Sequence, residues 1–262
     1  MFAMRHSGSR SPNGHLRELP PRARGGNVAW LKRAEMSQGV VLLGGNSVTA
    51  LRLRMAQSRL RSDLTPSHWS VAGLLSGTEV ITVTFDTIGD PVEFAARNGV
   101  TRQPFDRFDD PDEFPNVCVL LFSASFEPVL EALDEVANGR AVLDVPALTH
   151  AWLEALWGVA DLDAPLREGR GMPGAALVEL SHAIAGIELT PGLDSTASCP
   201  EAIWQSARWW TDYYRESAAV ALRAGVSAAK GHAQPSVPAG AFAIRSRLGT
   251  PLSSSSKEVR SK

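Results

Sequence analysis

The chain has 262 residues with 26 Lys and Arg against 28 Asp and Glu, a formal net charge of −2 and a pI near 6.3. That length supports one substantial domain rather than two large ones, and the balanced charge excludes a nucleic-acid surface spread over the whole protein. No apolar run reaches the roughly 18 to 20 residues of a bilayer span. The opening residues lack the apolar centre of a signal peptide, and Cys118 and Cys199 match no zinc or disulfide spacing, so a cytoplasmic protein with reduced thiols is expected.

Residues 1–36 are rich in Arg, Gly, Pro and Ser and read as a disordered, basic head. "GVVLLGG" then predicts a buried strand closed by two glycines. Ser47 is placed to cap "VTALRLRMAQSRLRS", whose Val48, Leu51, Met55 and Leu60 recur near helical spacing. That spacing predicts an amphipathic helix with its arginines on the wet side. "HWSVAGLL" and "TEVITVTFD" flank Ser76 and Gly77 and predict an antiparallel hairpin.

"VEFAARNG" predicts a short helix ending at Gly99, and the acidic, aromatic "RQPFDRFDDPDEFP" a loop without the spaced ligands of a calcium site. "NVCVLLF" is a further buried strand. Helices are predicted over 127–137, in "PALTHAWLEALWGV", in "GAALVELSHAIAG", and after Cys199, where Pro200 sits in the opening turn. The layout is α+β with a mainly antiparallel sheet: one domain over 37–225, a helical insertion at about 127–190, and a disordered Pro/Ala/Ser-rich tail over 226–262. Within the tail, "GAFAIRSRLGTPL" is an apolar-basic island with the character of a docking peptide.

Cys199 is the most informative position for chemistry. A thiol at the start of a long helix meets the positive end of the helix dipole and unpaired N–H groups, both of which favour the thiolate. A nucleophilic thiol also needs a base, commonly a His. His6, His15 and His232 lie in segments expected to be disordered, and His150 and His182 within apolar helices, which leaves His68 beside a turn at the start of a strand. On its own His68 reads as an incidental polar residue at the start of a strand, and only pairing with Cys199 makes it a candidate base.

At these two positions the sequence resembles the circularly permuted, NlpC-type papain-like cysteine hydrolases. "GVVLLGGNSVTALRLRMAQSRLRSDLTPSHWSVAGLL" is similar to that superfamily's opening strand, turn, helix and Ser-His strand. "SCPEAIW" is similar to the element in which its nucleophilic Cys opens a helix, and "HWSVAGL" is also similar to the lecithin retinol acyltransferase-like branch. The chain departs from the pattern at Val40, where an Asp is usual, and at Pro200, where a Ser is usual; Glu201 holds the pattern's Glu position.

The resemblance implies a small, curled antiparallel sheet against the Cys-bearing helix, with Cys199 as nucleophile and His68 as base. It also implies a third polar residue from the next strand: Thr82, Thr84 and Asp86 share one face by alternation, and Asp86 is the only carboxylate among them. The implied activity is that of an amidase, peptidase or acyl hydrolase working through a covalent acyl-enzyme, or an acyltransferase if the acceptor is not water. The substrate would be a peptide, a lipid or a small amide or ester; no cofactor, metal or nucleic-acid partner is expected. The alternative is a catalytically inactive module of the same fold whose helical insertion and tail dock onto a larger assembly.

Overall fold

The computed structural model describes residues 17–18, 26–34, 36–85, 91–121, 125–158, 161–223 and 242–245. At its centre β2 (Gln38–Gly44) lies between β3 (Val71–Ser76) and β6 (Asn116–Leu120), both antiparallel to it. β4 (Glu79–Thr82) and β5 (Thr101–Pro104) continue the antiparallel pairing beyond β3. The predicted hairpin forms, with Ser76 opposite Glu79 and Gly77 at φ +63°, a left-handed conformation that glycine adopts without steric cost. At the other edge β7 (Phe242–Arg245), from the apolar-basic island, runs antiparallel to β6, and β1 (Arg17–Glu18) lies parallel to β7.

Alternation along the strands sends their side chains into two separate cores. Val40, Leu42, Leu74, Ile81 and Leu120 join one; Val41, Leu43, Leu75, Val80 and Val119 join the other. The first core is covered by α4 (Glu127–Asn138), α5 (Val145–Trp157), α7 (Pro173–Ile184) and the start of α8 (Pro200–Arg223). The helical stretch expected as an insertion is thus the layer that closes one face of the sheet. α7 comes especially near: a Cβ on Gly174 would stand 2.5 Å from the Ala72 carbonyl oxygen, so no larger residue fits this approach to β3. Two further helices are short, α3 (Pro91–Ala96) and α6 (Ala164–Arg167).

Three local expectations need correction. The stretch assigned to the disordered head contains α1 (Asn27–Ala34), whose Trp30 and Leu31 pack with Phe105 and Phe108 over the second face of the sheet. Buried aromatic area offsets the ordering cost that composition alone suggested could not be met. The predicted acidic loop begins with the edge strand β5 and a 3-10 turn at Phe105–Phe108, because Thr101 to Pro104 find open backbone partners on β4.

The third correction is to α2 (Val48–Ala56). Ser47 caps it as expected, accepting a hydrogen bond from the Ala50 N–H at 3.1 Å. Its inward face, however, carries Ala50, Leu53, Arg54 and Ala56, and the stripe of Val48, Leu51 and Met55 faces outward. Small side chains let the helix approach the sheet, while Arg54 and the following Gln57 supply donors that the neighbouring loop backbone requires.

Candidate functional site

The two sequence motifs meet where the loop after α2 passes the start of α8. The Arg54 guanidinium donates to the carbonyl oxygens of Ser67 at 2.6 Å and Gly45 at 3.3 Å. Gln57 donates to the Trp69 carbonyl at 2.8 Å, and its side-chain oxygen accepts the Glu201 N–H at 2.8 Å. Ser67 donates to the Glu201 carboxylate at 2.7 Å and accepts the Trp69 N–H at 3.0 Å. Trp69 then meets Trp204 edge to face at 5.5 Å. The residues that join "SHW" to "CPEAIW" are therefore Ser67 with Glu201 and Trp69 with Trp204.

Cys199 immediately precedes α8, and its carbonyl accepts the Ile203 N–H at 3.2 Å, as the sequence led one to expect. Its side chain is 1% exposed and belongs to the main hydrophobic core. Burial pushes the thiol up to about 12; N–H groups of Ala202 and Glu201 pull the other way, and the Glu201 and Glu179 carboxylates reinforce the rise. The helix start does act on the sulfur in the expected direction. Desolvation and two neighbouring acids outweigh it.

Glu179, on α7, is the second buried acid. It accepts hydrogen bonds from Thr190 at 2.7 Å and Ser198 at 3.0 Å, with burial holding its carboxyl up at about 7 against those two donors. Ser198 fixes the residue before the thiol a second time, since its carbonyl accepts the Met172 N–H at 2.8 Å. Two acids thus raise the Cys199 thiol, and one of them, Glu201, is itself paired with Arg61 at 3.6 Å.

His68 sits on the irregular approach to β3, three residues before the strand proper. Its carbonyl accepts from the Asn116 side chain at 3.2 Å, and its ring Nδ1 is buried without a hydrogen-bond partner. Burial, then the nearby Arg61 and Arg54, lower the imidazole to about 4. Among the described residues no hydrogen bond or ion pair joins His68 to Cys199. Asp86 lies outside the described residues. Thr82 is buried and donates to the Ala72 carbonyl at 2.5 Å, and Thr84 is buried just beyond the end of β4.

Two cavities bear on access. One of about 120 Å³ lies beside the "GGNS" turn, between Gly45, Ser70, Phe108 and Phe114. The other, about 320 Å³, lies between α5 and the approach to the Cys199 loop, with Leu143, Leu148, Arg170 and Thr196 on its walls. Neither is lined by Cys199 or His68. Among the described residues no group of His, Cys, Asp and Glu could hold a metal ion, and no helix is long and apolar enough to cross a membrane.

Sequence reasoning passed over Glu179, Gln57 and Arg54. A single acid inside "GAALVELSHAI" was the legible signal for the first, because an ionisable group in an otherwise apolar helix must find polar company or a shifted protonation state. Comparison with protein-family models, with curated proteins and with solved structures finds no match to this chain.

Proposed function

We propose that this chain is a non-catalytic interaction module built on the permuted papain-like plan, the second of the two readings that the sequence offers. The observation that carries the reading is the state of Cys199: a thiol 1% exposed in the main core, raised to about 12 by burial and by the Glu201 and Glu179 carboxylates, and lining neither of the two cavities described above. A nucleophile at neutral pH needs a cation, a base or a lowered pKa, and access to a carbonyl. Here Glu201 serves as a strut that receives Ser67, and Trp69 fills the space beside Trp204 with apolar surface. The parts that would prepare a nucleophile instead hold two motifs together.

The order of elements supports the permuted plan: strand, capped helix, Ser-His approach, hairpin, and a Cys opening a helix that packs on the sheet. Docking falls to the outer surface, where α2 exposes its apolar stripe and α8 exposes Trp209 and Tyr213. A second reading, a cysteine hydrolase using Cys199, His68 and Asp86, is favoured by the convergence of the two motifs at Ser67 and Glu201. Site-resolved alkylation of the native protein separates the two. The module reading expects Cys199 to react more slowly than a free thiol at every pH from neutral to alkaline, with no change in His68→Ala. Reaction faster than a free thiol that drops in His68→Ala would establish the hydrolase reading.

A further inference from the structure

The cavity of about 120 Å³ beside the "GGNS" turn is built apart from Cys199 and His68, neither of which lines it. Its walls are apolar: Ala50 and Leu53 of α2, Phe85 beyond the end of β4, and Phe108 and Phe114 of the segment that follows β5. Ser70 also lines it, but its hydroxyl is already committed, accepting the Gly45 N–H at 3.1 Å and donating to the Leu43 carbonyl at 3.3 Å. The frame is braced as well. The Asn46 N–H donates to the Glu113 carbonyl at 2.9 Å and the Asn46 side chain to the Asp112 carbonyl at 2.8 Å, which ties the start of α2 to the opposite wall. An apolar recess held open by backbone hydrogen bonds suits the apolar body of a small molecule.

Two charged residues, Arg107 and Glu113, complete the lining, and both are exposed to solvent at its rim. Among the described residues neither side chain enters an ion pair or a hydrogen bond, with the other or with any neighbour. Arg107 lies in an acidic stretch, yet the acids that follow it are turned to the backbone: Asp109 accepts the Val28 N–H at 2.8 Å and Asp110 the Asp112 N–H at 2.7 Å. One free cation and one free anion on the rim of an apolar recess complement a molecule that carries an anion and a cation at one end and an apolar group at the other. A free α-amino acid has that layout, whereas a peptide end presents only one of the two charges. The recess is somewhat smaller than the roughly 150 Å³ that holds a benzene molecule, so a four-carbon aliphatic side chain fits and an indole does not.

We propose that this cavity binds a free α-amino acid with a small aliphatic side chain. Arg107 pairs with the carboxylate and Glu113 with the ammonium group, and the side chain enters among Leu53, Phe108 and Phe114. The site goes beyond the docking-module reading and does not depend on the state of Cys199.

The test is titration of the full chain with L-leucine, followed by backbone amide chemical shifts. Saturable changes are expected at Gly45, Ser70 and Phe114. Glycine, which leaves the recess empty, should bind about a hundredfold more weakly. Isocaproate, which lacks the ammonium group, and isoamylamine, which lacks the carboxylate, should each bind about fivefold more weakly than leucine. Arg107→Gln should weaken leucine by a similar factor and leave isoamylamine unchanged, and Glu113→Gln should weaken leucine and leave isocaproate unchanged. Both positions are exposed, so both variants should melt like the parent. No saturable change up to the solubility limit of leucine, changes confined to amides away from the cavity, or equal binding of leucine and its two one-charge analogues overturns the proposal. Alkylation of Cys199 is independent of these outcomes. An inert thiol without leucine binding removes this site and leaves the module reading, and a reactive thiol with leucine binding intact does the reverse.

Discussion

α4 and α2 are both short helices laid beside the same sheet, and they use their side chains in opposite ways. α4 turns Val129, Leu133 and Val136 into the core and presents Glu131, Asp134 and Glu135 to water. α2 turns Arg54 inward, sends Leu51 and Met55 out, and keeps only Ala50, Leu53 and Ala56 for packing. An apolar stripe at helical spacing fixes that a helix has two faces. Which face goes inward also depends on what the neighbouring backbone lacks, and beside α2 the carbonyls of Ser67, Gly45 and Trp69 need donors.

The contrast can be broken most forcefully on α4. Leu133 is fully buried, and Leu133→Ala should cost about 2–5 kcal/mol, read as a fall in the denaturant midpoint at unchanged slope. A smaller loss at Leu133 than at any α2 position would reverse the assignment of faces.

Next in size is the buried acid of α7, which shows what an inward polar group does without a cation. The Glu179 carboxyl is raised from 4.5 to about 7 in the fold, so between those values the folded state holds a proton that the unfolded state has released. Its contribution to stability is therefore full below about 4.5 and lost as pH rises to about 7, a change of about 3 kcal/mol. His68 and His182, both lowered from 6.5 to about 4, act with the opposite sign over an overlapping window. The Glu179 share is isolated by subtracting the pH profile of Glu179→Gln, which keeps an acceptor for Thr190 and Ser198. A difference curve flat from pH 4.5 to 7 would show that Glu179 is not protonated in the fold.

Arg54→Met tests the inward face of α2 itself. It keeps the apolar stem, strips the donors from the Ser67 and Gly45 carbonyls, and should cost about 1–3 kcal/mol in equilibrium unfolding. The smallest effect belongs to the outward face: Leu51→Glu with Met55→Glu should stay within about 0.5 kcal/mol of the parent. If that pair destabilised the protein more than Arg54→Met, the stripe would be core.

Much of the fold was legible because its signals were local. The β-branched runs gave β2 and β6, Gly77 marked the hairpin turn, and Pro200 with Cys199 located the start of α8. β5 was hidden because an edge strand borrows its order from its partner, and "TRQP" carries no alternating apolar pattern of its own. α1 was hidden behind an Arg- and Gly-rich lead, although Trp30 and Leu31 provide the buried area that holds it.

At the site, the sequence rightly drew attention to the stretches around His68 and Cys199, which do come together. The contacts that join them run through the neighbouring Ser67, Trp69, Glu201 and Trp204. The helix-start argument gave one contribution to the thiol's protonation correctly. Burial and the acid from α7 depend on long-range packing, which a local motif does not carry.

The central claim is that Cys199 is a neutral, structural thiol. Alkylation mixes access with charge, whereas the ¹³Cβ chemical shift of Cys199 reports the charge of the sulfur directly. Titration of selectively labelled protein should leave that shift at its thiol value from neutral pH through mildly alkaline conditions, with no inflection when His68 is replaced by Ala. A thiolate shift already present at neutral pH, and lost in His68→Ala, would contradict the account and make the pair a catalytic one.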